Sequence, residues 1–224
     1  MLDTDSAIQK QYENFKCIFN KENFPAVFEV IDEHNEVLSG SQHRYGRYAI
    51  LYTPVRYQPK IMIVGNNPSW FDKDSDYKAE QIVKRLMDSP PAESSYLTDN
   101  HVFAHRLNDA FNRIGRHDLL REAVGMNRLW LQTGPSQTGW TRALKSHSFR
   151  LGISLTDYCE RETQNIIREI SPKVLLLVGA KAQQLPLSGL EETEIKVEEV
   201  SYPLGGGITA LTRELRNIVG RYDL

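Results

Sequence analysis

The segment KIMIVGNNPSW, residues 60–70, decides the fold. Its first half is a short apolar run closed by Gly65, the pattern of a strand at the centre of a parallel sheet that is covered on both faces. VLLLVG, residues 174–179, repeats it and ends in Gly179. Sheets of this kind bind ligands beyond the carboxyl ends of their strands, so the residues after each glycine are where chemistry is expected.

Helical spacing surrounds the two runs. Ala79, Ile82, Val83 and Leu86 predict a helix stopped by Pro90 and Pro91, followed by a surface loop over SPPAESS. Phe103, Leu107, Ala110, Phe111 and Ile114 predict an amphipathic helix, with a short one over about 119–124, and NRLWLQTG reads as the next strand. After a Gly-, Ser- and Thr-containing stretch, Leu155, Cys159, Ile166, Ile167 and Ile170 mark a helix that ends before Pro172. AKAQQL starts a short helix, IKVEEV is a final strand and TALTRELRNIVGRY a closing helix. Toward the amino terminus, Ile8, Tyr12, Phe15 and Phe19 share a helical stripe. AVFEVIDEHNEVL and RYGRYAILY read as a hairpin or as edge elements around a turn at DEHNE. Strands alternating with helices give a three-layer α/β/α sandwich with a mostly parallel central sheet.

The chain has 224 residues, 40% apolar and 25% charged, which suits one domain over 1–224 with an amino-terminal helix and hairpin extension at about 1–55. The formal charge of -2 supplies no global attraction to nucleic acid. Residues 106–150 nevertheless carry eight Lys and Arg against three Asp and Glu, interleaved with Trp130, Trp140, Phe149, His117 and His147. That excess reads either as one side of a nucleic-acid groove or as ordinary solvated helix faces. Cys17 and Cys159 are too few for a disulfide framework and fit a reducing interior. The polar start MLDTDSAIQKQ and the shortness of every apolar run predict a soluble cytoplasmic protein without a membrane span.

Several chemistries are disfavoured by pattern. SYPLGGG, residues 201–207, lacks the Lys-Ser or Lys-Thr of a phosphate-binding loop, and no dinucleotide fingerprint surrounds Gly65 or Gly179. His101 and His105 lack the Glu and the third ligand of a helical zinc site, and two cysteines cannot hold an iron–sulfur cluster. No nucleophile elbow occurs. Asp72, Asp74 and Asp76 read as a solvated acidic loop, with a metal-assisted hydrolase as the third-ranked alternative. No cofactor or metal is expected.

What remains is the loop Gly65-Asn66-Asn67-Pro68-Ser69-Trp70-Phe71. Asn67 presents a donor and an acceptor together, suited to holding a water or to reading a base edge, although Asn before Pro also starts turns by bonding its own backbone. Trp70 or Phe71 can stack on a flat ligand or simply pack as a lid.

IMIVGNNPSW followed far downstream by ISPKVLLLVGAKAQQL resembles the two-strand framework of the uracil-DNA glycosylase superfamily over roughly residues 45–220. The resemblance implies that Gly65-Asn66-Asn67-Pro68 holds the catalytic water. The Asn at its third position is similar to the branch that processes mismatched uracil or thymine. It places the second motif, usually His-Pro-Ser or Asn-Pro-Ser, at Tyr202-Pro203-Leu204, where Tyr202 would donate to the departing base. It also implies an Asn at the end of the middle strand, read as NRLWLQTG, with Gln132 or Thr133 as the nearest substitute. Catalytic roles thus fall on Asn67 and Tyr202. Substrate contacts fall on Gly65, Asn66, Pro68, Ser69, Trp70, Phe71, Gln132, Thr133, Pro203, Gly205 and Gly206. DNA or a nucleobase-containing ligand is the expected partner, and the possible reaction is hydrolysis of the N-glycosidic bond of uracil or of a mismatched or damaged base. Tyr202 and Leu204 depart from the family pattern and support the competing expectation, a noncatalytic nucleic-acid-binding or protein-interaction module on the same fold. Oligomeric state is not fixed by the sequence.

Overall fold

A computed structural model describes residues 4–37, 47–66, 86–87, 89–98, 102–132, 137–203 and 207–224. Among these residues four strands form one sheet: β1 (Ile61–Gly65), β2 (Val124–Asn127), β3 (Val174–Val178) and β4 (Lys196–Val200), in spatial order β2-β1-β3-β4 with every pairing parallel. β1 and β3 are buried along their whole length, as their unbroken apolar sequences require. β4 lies at an edge and carries Lys196, Glu198 and Glu199, charges that discourage further strand addition.

Alternation along the strands sends side chains into two cores. Met62, Val64, Val124, Met126, Leu175 and Leu177 face one layer, formed by α1 (Thr4–Ile18), α2 (Pro25–Val37), α6 (Gln137–Lys145) and α7 (Leu155–Ile170). Ile61, Ile63, Val174, Leu176 and Val178 face the other, formed by α3 (Ser95–Thr98), α4 (Val102–Arg113), α5 (His117–Glu122) and α8 (Gly207–Tyr222). The expected three-layer α/β/α arrangement with a parallel sheet is therefore present. α7 is framed by a capping box between Ser154 and Asp157 and stops at Ser171, which takes the left-handed conformation (φ 52°) just before Pro172.

Other expectations need correction. Residues 26–37 of AVFEVIDEHNEVL lie in helix α2 rather than in a hairpin arm. Pro25 opens it, and Phe24, Val27 and Ile31 bury at helical spacing, which overrides the β-branched composition. Of RYGRYAILY, residues 47–52 are an edge segment running antiparallel to the chain after β2: Ala49 N–H donates to Trp130 O and Gln132 N–H to Arg47 O, both at 2.8 Å. The Tyr12 hydroxyl ties that segment to α1 by accepting from Leu51 N–H at 3.0 Å. SPPAESS does not stay on the surface, since Ser94 and Ser95 are buried and Ser95 begins α3. The Gly- and Thr-containing stretch hides α6, which buries Trp140, Ala143 and Leu144. The predicted helix over 79–86 lies outside the described residues except at its end, where Leu86 is helical and buried. Among the described residues, no helix is long and apolar enough to cross a membrane.

Candidate functional site

Parallel strands bring their carboxyl ends to one edge of the sheet. Val64 pairs with Leu177, so Asn66 lies level with Gly179 one strand away. On the other side of β1, Gly65 pairs with Asn127, the last residue of β2. The pairing continues past both strands, with Arg128 N–H donating to Gly65 O at 2.9 Å and Leu129 N–H to Asn66 O at 2.7 Å. The chain entering the Asn67 loop is thereby clamped to the chain leaving β2.

Asn127 is the functional candidate that sequence reading missed. Its side chain folds over Gly65 so closely that a Cβ there would lie 2.5 Å from Asn127 Oδ1, and this close approach is why β1 ends in glycine. Its Nδ2 donates to the Tyr52 hydroxyl at 2.8 Å, and it is only 7% exposed. The strand expected at NRLWLQTG begins where β2 ends. Trp130 and Leu131 suggested a strand, but they pack into the α1 and α7 core, whereas the true strand is the less conspicuous Val-Gly-Met-Asn. The available signal was the break after helix α5 followed by buried Ala123-Val124-Gly125-Met126. Gln132 is accordingly not at a strand end. It is buried on the segment paired with Arg47.

The Tyr202 turn rises from the same sheet edge. Gly179 takes a positive φ of 84° and the Tyr202 side chain packs directly on it, 3.0 Å from where a Cβ would stand. The ring stacks on Phe103 of α4, with centroids 5.4 Å apart and 22° between planes, and stays 41% exposed. Burial raises the phenol pKa above its ordinary value, so Tyr202 is a hydrogen-bond donor at neutral pH. Ser201 is held by both oxygens of Glu214, its N–H at 2.7 Å and its hydroxyl at 2.8 Å. Pro203 is buried. Gly207, where α8 begins, lies against the Tyr202 carbonyl, which leaves no room for a Cβ.

The described part of the site therefore comprises Gly65, Asn66, Asn127, Gly179, Tyr202 and Pro203. Asn67, Pro68, Ser69, Trp70, Phe71, Thr133, Leu204, Gly205 and Gly206 lie outside the described residues, as do Asp72, Asp74, Asp76 and His101. Among the described residues no group of three His, Cys, Asp or Glu is arranged to hold a metal.

The basic stretch does not form one wall. Arg106, Arg113, Arg116 and Arg121 ride on and beside α4 and α5, while Arg142, Lys145 and Arg150 ride on and after α6, across the sheet. Arg113 and Arg116 also pair with Asp109 and Asp118, both at 2.9 Å. Arg128 turns inward to Glu160.

Cys159 is buried and its thiol is pushed up to about 12 by that burial, whereas Cys17 is exposed. An aromatic disulfide reagent at neutral pH is expected to titrate one thiol in the folded protein and two in denaturant. Two fast thiols in the folded state would contradict the placement of Cys159.

No protein-family model and no curated protein matches the chain.

Proposed function

We propose that the protein binds a nucleobase of DNA at the carboxyl edge of its sheet and hydrolyses the N-glycosidic bond of uracil or of a mismatched or damaged base, as its resemblance to the uracil-DNA glycosylase superfamily suggests. The observation that carries this reading is Asn127, a buried amide at the end of β2 lying over Gly65 at the root of the Gly-Asn-Asn-Pro loop. An amide offers a donor and an acceptor side by side, the complement of a base edge that presents an acceptor beside a donor. The resemblance implies an Asn at the end of the middle strand, with Gln132 or Thr133 as the expected substitutes, and the position of Asn127 at the end of β2 supports the reading.

In this reading a base leaves the stack and enters beside Asn127. Asn67 orients a water toward the anomeric carbon. As the water oxygen bonds to that carbon, the carbon–nitrogen bond breaks, its electron pair stays on the base, and the proton that the water loses passes through solvent to the departing base. Charge developing on the base is met by Asn127 and by the Tyr202 hydroxyl, which is still protonated. A second reading, a nucleobase-binding module without catalysis, is favoured by one observation: Phe103 and Gly179 pin the Tyr202 ring, and its phenol is not the imidazole or amide of the family motif.

Purified protein incubated with single- and double-stranded oligonucleotides bearing uracil, mismatched thymine or deaminated purines is expected to produce abasic sites. Asn127→Ala is expected to lower the rate by about 100-fold, the usual order for losing one preorganised donor, and Asn67→Ala to lower it as well. Binding without abasic product would select the second reading. Abasic product that is indifferent to Asn127→Ala would remove Asn127 from the site, and neither binding nor product would overturn the nucleobase reading.

A further inference from the structure

Phe149 is the most exposed large hydrophobic side chain among the described residues, fully in solvent at 103%. One exposed ring says little alone, but the turn that carries it is built. Ser148 is buried. Its N–H donates to Ile153 O and its carbonyl accepts from Gly152 N–H, both at 2.9 Å, and its hydroxyl accepts from Leu151 N–H at 3.1 Å. Gly152 closes the turn with φ 67°. The ring is thus held outward by a bonded frame.

The turn runs directly into Ser154, the N-cap of α7. α7 leads from the carboxyl side of the sheet back to the start of β3, and Thr163 lies beside Asn127, with its hydroxyl 3.4 Å from the Asn127 carbonyl. From Thr163 back to Leu155 the helix rises about 12 Å along its axis toward the turn, at 1.5 Å per residue. Two carboxylates bond to the turn, Asp157 in the cap of α7 and Glu22 at Arg150, and its own stretch of chain is otherwise basic. No Asp or Glu occurs from Ala123 to Thr156, while Arg142, Lys145, His147 and Arg150 are exposed on the last turn of α6 and on this turn. Arg150 pairs with Glu22, but both are well exposed, and a pair of that kind holds its partners weakly.

We propose that the turn over Ser148 to Gly152 is a stacking platform for an unpaired nucleotide of single-stranded DNA, with Phe149 against the base and Lys145, His147 and Arg150 along the phosphates. Every base has a face that an aromatic ring can cover, and Arg150 on the turn, with Arg142 and Lys145 on the last turn of α6, supplies matching charge. In taking DNA as ligand the proposal rests on the nucleobase reading, but it uses none of the strand-end residues.

The test uses the full chain, its Phe149→Ala, Phe149→Trp and Lys145→Ala variants, and a labelled oligothymidylate, free or in duplex, across a salt series. The wild type is expected to prefer the single strand. Phe149→Ala should weaken single-strand binding by about tenfold, the order of one lost base stack, with the salt slope kept. Lys145→Ala should reduce that slope by about one. The exposed indole of Phe149→Trp should be quenched when oligonucleotide is added, and because residue 149 packs against nothing, all melting temperatures should match wild type. Equal binding by Phe149→Ala overturns the platform while leaving any Asn127-dependent abasic product untouched. Phe149-dependent binding without abasic product upholds the platform and overturns the catalytic reading alone. Failure of the wild type to bind oligothymidylate, or an indole response to phosphatidylserine vesicles and not to DNA, overturns the platform.

Discussion

Trp130→Ala is expected to lower the free energy of unfolding by about 3–5 kcal/mol, the usual range for deleting a large buried aromatic. Trp130 is completely buried, meets Phe15 and Tyr158 edge-on with centroids 5.0 and 6.1 Å away, and donates from Nε1 to Thr163 Oγ1 at 3.1 Å. The indole joins α1, α7 and the segment after β2 at one point. Alanine leaves a cavity between three elements that cannot all collapse into it, and the Thr163 hydroxyl loses a partner. Urea denaturation checks the magnitude, and the melting temperature should fall by about 10 °C for a chain of this length. A change below about 1 kcal/mol would mean that the aromatic cluster does not hold α1 to the body.

Arg128→Ala should cost about 3 kcal/mol, the lower part of the range for breaking a buried ion pair, because a little water reaches both partners. The guanidinium is 11% exposed and Glu160 12%. Nε donates to Glu160 Oε1 at 2.7 Å and Nη1 to the Lys181 carbonyl at 3.0 Å. One side chain thus ties the chain after β2 to α7 and to the turn after β3. Removing it leaves a carboxylate in a poor dielectric. A double variant, Arg128→Met with Glu160→Leu, should recover most of the loss, since it removes both charges and keeps apolar volume. If the single and double variants unfold alike, the cost comes from packing and the ion pair contributes nothing. Arg128 directly follows Asn127, so the single variant should also reduce any activity that depends on Asn127, by loosening the clamp at the strand end.

Particular elements explain what could be read in advance. β1 and β3 were legible because five consecutive buried positions on a two-sided strand leave an apolar run with few other interpretations. α4, α7 and α8 were legible because each keeps a wet face, and the resulting periodicity survives in the sequence. α2 was not, because Val, Ile and Phe are also the residues of strands, and only packing against Phe19 and α6 shows that Phe24, Val27 and Ile31 share a helical face. β2 was obscured by a similar ambiguity. Gly125 looks like a turn, yet it is required within a strand because the Tyr96 ring occupies the space a Cβ would need. Starting β2 three residues late, at Asn127 rather than Val124, hid Asn127, whose position at the strand end depends wholly on where the strand stops.

By itself the sequence determined the alternation of strand and helix, the two central strands and the sheet edge on which their loops emerge, because these follow from local periodicity and from the geometry of parallel crossovers. The order β2-β1-β3-β4, the seating of Asn127 over Gly65, the grip of Gly179 and Phe103 on Tyr202, and the division of the basic stretch between opposite layers were decided only by tertiary structure. Each depends on which side chain meets which across long stretches of chain. No local pattern carries that information, since the same residues would keep their periodicity whichever neighbour they met.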